Sequence, residues 1–98
     1  MSAAEDNVAE TITRKLVVGN KDGIHARPAA MFVKAASKFE SEIALEKDGE
    51  RINGKSIMGL LMLAAGPGCQ LKLEVSGSDA EQAVRELEAL FEAKFGEA

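Results

Sequence analysis

Apolar and polar residues alternate over short stretches of this chain and recur at helical spacing over others, in a clear succession. Ile12, Leu16 and Val18 alternate with Thr13, Lys15 and Val17, which predicts a strand with one buried face. Arg14 falls on the apolar side, where a long stem can carry its charge past the edge of a sheet. The run Gly19-Asn20-Lys21-Asp22-Gly23 reads as a loop. Ala29, Phe32, Val33 and Ala36 then form one apolar helical stripe, with Pro28 in the first turn, where its missing N–H is not needed. Ile43 and Leu45 alternate with Glu42, Ala44 and Glu46 in a second strand. Asp48-Gly49 signals a hairpin, and Arg51-Ile52-Asn53 is its return. Ser56 is placed to cap a short helix from Ile57 to about Leu63, which Gly66-Pro67-Gly68 should end. Leu71, Leu73 and Val75 mark a fourth strand. Ser78-Asp79-Ala80-Glu81 has the form of a capping box, opening a helix whose stripe runs unbroken through Ala83, Val84, Leu87, Leu90, Phe91 and Phe95.

The predicted order is βαββαβα, an α+β fold in two layers with helices covering one face of a sheet. At 98 residues the chain holds one domain, too small for a deep, walled active site. Residues 1–10 carry Glu5, Asp6 and Glu10 and no base. They are expected to be a flexible acidic extension to a domain spanning 11–98, whose own charge is then close to neutral. The overall charge of −4 and the lack of Trp and Tyr argue against a nucleic-acid partner. A single cysteine, Cys69, cannot form an internal disulfide, which fits a reducing compartment. No secretory leader opens the chain, and the apolar run from Ile57 to Ala65 is too short to span a bilayer, so the expected location is cytoplasmic, without membrane insertion. One His and one Cys make no credible zinc set, and no metal or other cofactor is expected. Residues 49–56 satisfy the spacing of a phosphate-binding P-loop, but 50–53 themselves read as a strand and the helix beyond is very short, so that match is rejected.

The candidate chemistry centres on His25, in Gly23-Ile24-His25-Ala26-Arg27-Pro28-Ala29. It stands just ahead of the first predicted helix, where backbone N–H groups have no partner within the helix and the dipole favours an anion. The amides of Ala26 and Arg27 and the guanidinium of Arg27 are the candidate phosphate-binding groups. Their positive field should disfavour imidazolium and leave a neutral, nucleophilic ring. Asp22 lies close in sequence, but its loop position makes it a poor catalytic base.

These seven residues, together with Gly54-Lys55-Ser56-Ile57-Met58-Gly59-Leu60 downstream, closely resemble the HPr family of phosphocarrier proteins. The resemblance runs from about Thr11 to Phe95 in matching element order. It implies an open-faced β-sandwich with a four-stranded antiparallel sheet. It further implies phosphorylation of His25 on Nδ1 by Enzyme I, onward transfer to an Enzyme II A domain, and assistance by Arg27 in both steps. Such a protein is a stoichiometric carrier, expected to be monomeric, rather than an enzyme. Ser56 matches the family's regulatory serine, the target of a kinase/phosphorylase. Ile57, Met58, Leu61 and Met62, with Ala30, Lys34 and Ser37, match its docking surface. Arg27, Lys34, Lys38 and Lys55 are expected to ring that patch with positive charge and steer acidic partners. Leu60-Leu61-Met62-Leu63 and the ending Leu90-Phe91…Phe95 also look like the nitrogen-branch variant, NPr, so a regulator acting through partner binding stands as the alternative.

Overall fold

The structure is a computed structural model that describes residues 10–97. Of the expected acidic extension only Glu10 falls among them, and it opens the first strand; the remainder lies outside the described residues. The strands are β1 (Glu10–Val17), β2 (Glu42–Lys47), β3 (Glu50–Asn53) and β4 (Gln70–Gly77), and the helices are α1 (Ala26–Ala36), α2 (Ile57–Leu63) and α3 (Ala80–Glu92). The sheet runs in the order β1-β4-β2-β3, antiparallel throughout. Its register places Ile12 opposite Val75, Leu16 opposite Leu71, and Ile43 and Leu45 opposite Val75 and Leu73. Because side chains alternate across a strand, this pairing puts every one of those apolar groups on the same face. The three helices cover that face. Phe32, Leu45, Leu60, Leu71, Leu73, Leu87 and Phe95 are fully buried in a single core.

Among the described residues the other face is polar and uncovered, as an open-faced sandwich requires. Arg51 on β3 pairs with Glu74 on β4, reaching across the intervening β2 over Ala44, whose short side chain leaves room for it. Arg14 behaves as its long stem allows: it faces inward by register, yet stays exposed and carries its guanidinium to Glu88 of α3 at 3.7 Å. The β2–β3 hairpin closes with Asp48 at φ 52° and Gly49 at φ 86°. Two left-handed residues in a two-residue loop match the right-handed twist of the strands they join.

Three local expectations are corrected. Helix α2 ends where predicted, but its stop is Ala64 in the left-handed region at φ 52°, ahead of the Gly66-Pro67-Gly68 turn. The carbonyls of Leu63 and Ala64 are instead met by the Lys47 ammonium at 3.1 and 3.4 Å. The capping box does not form. Asp79 occupies the N-cap of α3, and its carboxylate accepts from the amides of Glu40 and Ser41 at 2.9 and 3.0 Å and from the Ser41 hydroxyl at 2.5 Å. It therefore fastens the α1–β2 turn instead of capping its own helix. Gly77 makes that approach feasible, since at φ 157° a Cβ there would collide with the Ser41 side chain. Finally, Phe95 joins the core but not the helix: α3 stops at Glu92, and Lys94, Phe95 and Gly96 follow with φ of 54°, 53° and 75°.

The Ser41 hydroxyl and the Glu40 amide hold the Asp79 carboxyl below its ordinary value of 3.8. A carboxyl depressed in the folded state stabilises the fold above its unfolded pKa, and that contribution is lost as pH falls through the folded value. Asp79→Asn is therefore expected to melt below wild type at pH 7. The gap should narrow as pH is lowered past 3.8, as read from thermal melts across that range.

Candidate functional site

His25 is the N-cap residue of α1, in extended backbone conformation (φ −97°, ψ −166°), and its side chain makes no capping hydrogen bond. The carbonyl of His25 accepts from Ala29 N at 3.0 Å, closing the first helical turn. Pro28, the third helical residue, has no N–H to offer, so the orphan donors of this helix start are the amides of Ala26 and Arg27. The His25 side chain is 42% exposed, open to solvent on one side and held by Glu97 on the other. Arg27 is exposed, and among the described residues its guanidinium makes no hydrogen bond or ion pair.

The loop before His25 is fixed by close packing. Ile24 N donates to Ala65 O at 2.8 Å. Gly23 lies so near that turn, at φ +71°, that a Cβ on it would sit 2.6 Å from the same oxygen. Asn20 is fully buried, and its Nδ2 donates to Gly23 O at 2.7 Å and to Glu97 Oε1 at 2.9 Å. Glu97 in turn lies against the ring: its Oε2 is 3.0 Å and its Oε1 3.3 Å from His25 Nε2. The Asn20 amide, the contact with His25 and the nearby Arg27 guanidinium hold the Glu97 carboxyl below its ordinary range. Asp22 completes the surroundings, with a carboxylate oxygen, a His25 ring nitrogen and a Glu97 oxygen within 4.8 Å of one another.

The expected surroundings of His25 are therefore corrected. The amides of Ala26 and Arg27 stand at the helix start beside the ring, and two carboxylates, those of Asp22 and Glu97, stand there with them. Counting His and Cys likewise overlooked Asp22, His25 and Glu97 as donors of a type that can hold a metal ion. Asn20 and Glu97 were not picked out from sequence. Asn20 offered a weak hint as a turn-forming residue two positions before Asp22, whereas Glu97 lies 72 residues from His25 with no local signal at all.

Ser56 caps α2 as expected, its Oγ accepting from Gly59 N at 2.9 Å. That engagement agrees with rejecting the P-loop, as does the strand at 50–53. Ile57, Met58, Leu61 and Met62 are 43%, 67%, 38% and 64% exposed, an unusual concentration of bare apolar surface on a seven-residue helix. Ala30 and Lys34 on α1 and Ser37 at its C-cap are exposed as well. The expected ring of cations is incomplete. Lys38 is paired with Glu86, and the Lys55 ammonium donates to Phe39 O at 2.7 Å, which leaves Arg27 and Lys34 without such partners among the described residues.

A two-layer α+β domain with one histidine at the head of a helix, beside an exposed apolar helix, is the class of protein that the fold and site define. The family described as PTS HPr component phosphorylation site matches residues 12–93. The phosphocarrier protein HPr of Treponema pallidum is 48% identical over 86 residues, covering 88% of this chain and 98% of that protein. The HPr-like protein Crh of Bacillus subtilis is 45% identical over 78 residues, covering 80% and 92%. The crystal structure of HPr-C-His from Thermoanaerobacter tengcongensis superposes with a TM-score of 0.86 at 47% identity, covering 89% of this chain and 98% of that one. The chain belongs to the HPr family of phosphocarriers of the phosphotransferase system. Among the described residues no helix is long and apolar enough to cross a membrane.

Replacing Ser56 by Ala removes the acceptor for Gly59 N and should destabilise the domain by about 1 kcal/mol, measured by urea unfolding at equilibrium.

Proposed function

We propose that His25 accepts a phosphoryl group on Nδ1 from phospho-Enzyme I and passes it to an Enzyme II A domain, so that the protein is turned over as a stoichiometric carrier. The observation that carries this reading is the position of the chain's single histidine: N-cap of α1, with its side chain uncommitted to capping and 42% exposed. A phosphoryl group on Nδ1 has the amides of Ala26 and Arg27 at hand for its oxygens, and the Arg27 guanidinium is free to swing onto it. The two amides are in place before the reaction and need no reorganisation at the moment of transfer. The apolar surface of Ile57, Met58, Leu61 and Met62, flanked by Ala30, Lys34 and Ser37, is the docking face for both partners. Its modest area suits a carrier that must leave each partner quickly. Phosphorylation of Ser56 by a serine kinase/phosphorylase would place a dianion at the start of α2, beside that face. The helix end tolerates such a charge, while an acidic partner surface is repelled by it.

A second reading, a regulator acting through partner binding as expected of an NPr-type protein, draws support from the relatedness to the HPr-like protein Crh. In that case His25→Ala keeps its partner binding, and His25 carries no phosphate in cells.

Incubation with Enzyme I and phosphoenolpyruvate should yield one acid-labile phosphate per chain, absent from His25→Ala. Arg27→Ala should slow its formation about a hundredfold, the scale of losing one donor to the transferred group. Phosphate that persists in His25→Ala would end the carrier reading.

A further inference from the structure

Resting on the carrier reading, we infer that Glu97 is a positioning residue for His25: its carboxylate keeps the ring proton on Nε2 and so leaves the Nδ1 lone pair as the nucleophile. A neutral imidazole carries its proton on one nitrogen only, and which one is set by the partner the other nitrogen meets. With Glu97 Oε2 3.0 Å from Nε2, the Nε2–H form donates a hydrogen bond to the carboxylate. The alternative form, with the proton on Nδ1, would set a nitrogen lone pair against a carboxylate oxygen at that same distance. The first form is therefore favoured, and it alone can attack phosphorus through Nδ1.

The carboxylate is held in place from two sides. Its Oε1 accepts from the Nδ2 of Asn20, a fully buried residue whose other amide hydrogen is committed to Gly23 O. Its backbone is delivered by Lys94, Phe95 and Gly96, three consecutive residues in the left-handed region. Two of these are not glycine, and such a conformation is costly unless tertiary packing imposes it. Here the Phe95 ring, 1% exposed and edge-on to Phe91 at 4.9 Å, imposes it. The strained turn thus has a purpose at the site: it brings a carboxylate from the far end of the chain to the back of the ring.

The step balances without a general base. The Nδ1 lone pair forms the N–P bond, the bond from phosphorus to the donor breaks with its electrons remaining on the donor, and the proton stays on Nε2 throughout. The ring then carries positive charge, which the adjacent Glu97 offsets. Onward transfer breaks the N–P bond and returns the ring to the same neutral form.

Glu97→Gln provides a sharp test because it is isosteric. Asn20 Nδ2 requires an oxygen opposite it, so the substituted amide must turn its NH2 toward His25 Nε2, which favours the Nδ1–H form. Long-range ¹H–¹⁵N correlation spectra of the full chain, at a pH where the ring is neutral, report the tautomer directly. Wild type should show the Nε2–H form in excess over an unstructured histidine peptide, Glu97→Ala should relax to the peptide's ratio, and Glu97→Gln should invert toward Nδ1–H. Phosphorylation by phospho-Enzyme I should slow about tenfold in Glu97→Ala, as for partners that orient other functional histidines, and further still in Glu97→Gln. If Glu97 only fastened the chain end, Glu97→Gln would keep the wild-type tautomer ratio and rate, and that result overturns the inference while leaving the carrier reading intact. A wild-type chain that takes up no phosphate defeats the carrier reading instead, whatever the tautomer ratio proves to be.

Discussion

The hydrogen bond from Ile24 N to Ala65 O decides where the first helix begins, and the remainder of the site is arranged around that point. The bond joins the loop after β1 to the turn after α2, two segments distant in sequence that meet because the helices share one face of the sheet. At 2.8 Å it requires that Gly23 present no side chain to the carbonyl it passes. With Ile24 pinned and buried, His25 becomes the last extended residue before α1, and its ring projects from a rigid support. The carrier role proposed for His25 demands such rigidity, because the amides would have to point already where the oxygens arrive.

The same constraint separates the two halves of the molecule's work. Burial on the helix-covered face holds the fold together through Phe32, Leu73, Leu87 and their neighbours. The docking face proposed above is what that packing leaves outside, chiefly the outer side of α2. A seven-residue helix contributes only Leu60 and Leu63 to the core, so its remaining apolar side chains face solvent. Methionine is well suited to that position, since an unbranched thioether adapts to differently shaped partners. The polar face of the sheet carries ion pairs such as Arg51 with Glu74.

Much of this was legible along the chain. Alternation in β1, β2 and β4 and the stripes of α1 and α3 are local signals, because a strand or helix that buries one face must repeat its apolar residues at the period of its own geometry. The hairpin at Asp48-Gly49, the cap at Ser56 and the helix start at His25 are equally local, each fixed by a few neighbouring backbone groups. What remained hidden is non-local. Asp79 has the sequence context of a helix cap, yet its carboxylate is drawn off by Glu40 and Ser41, which come within reach only when β4 and α1 have packed. Phe95 continues the helical stripe in sequence, yet burying its ring beside Phe91 requires the backbone to leave the helix. Lys38 and Lys55 read as free cations until the fold supplies Glu86 and the Phe39 carbonyl.

By itself, then, the amino-acid order determined the elements, their sequence and the histidine at the head of a helix, since each follows from contacts within one or two turns of chain. The company that histidine keeps was decided only by tertiary structure. Asn20 and Glu97 stand 77 residues apart and share a hydrogen bond. No periodicity or motif encodes such a meeting; it arises because the core places the end of the chain beside the loop that precedes α1.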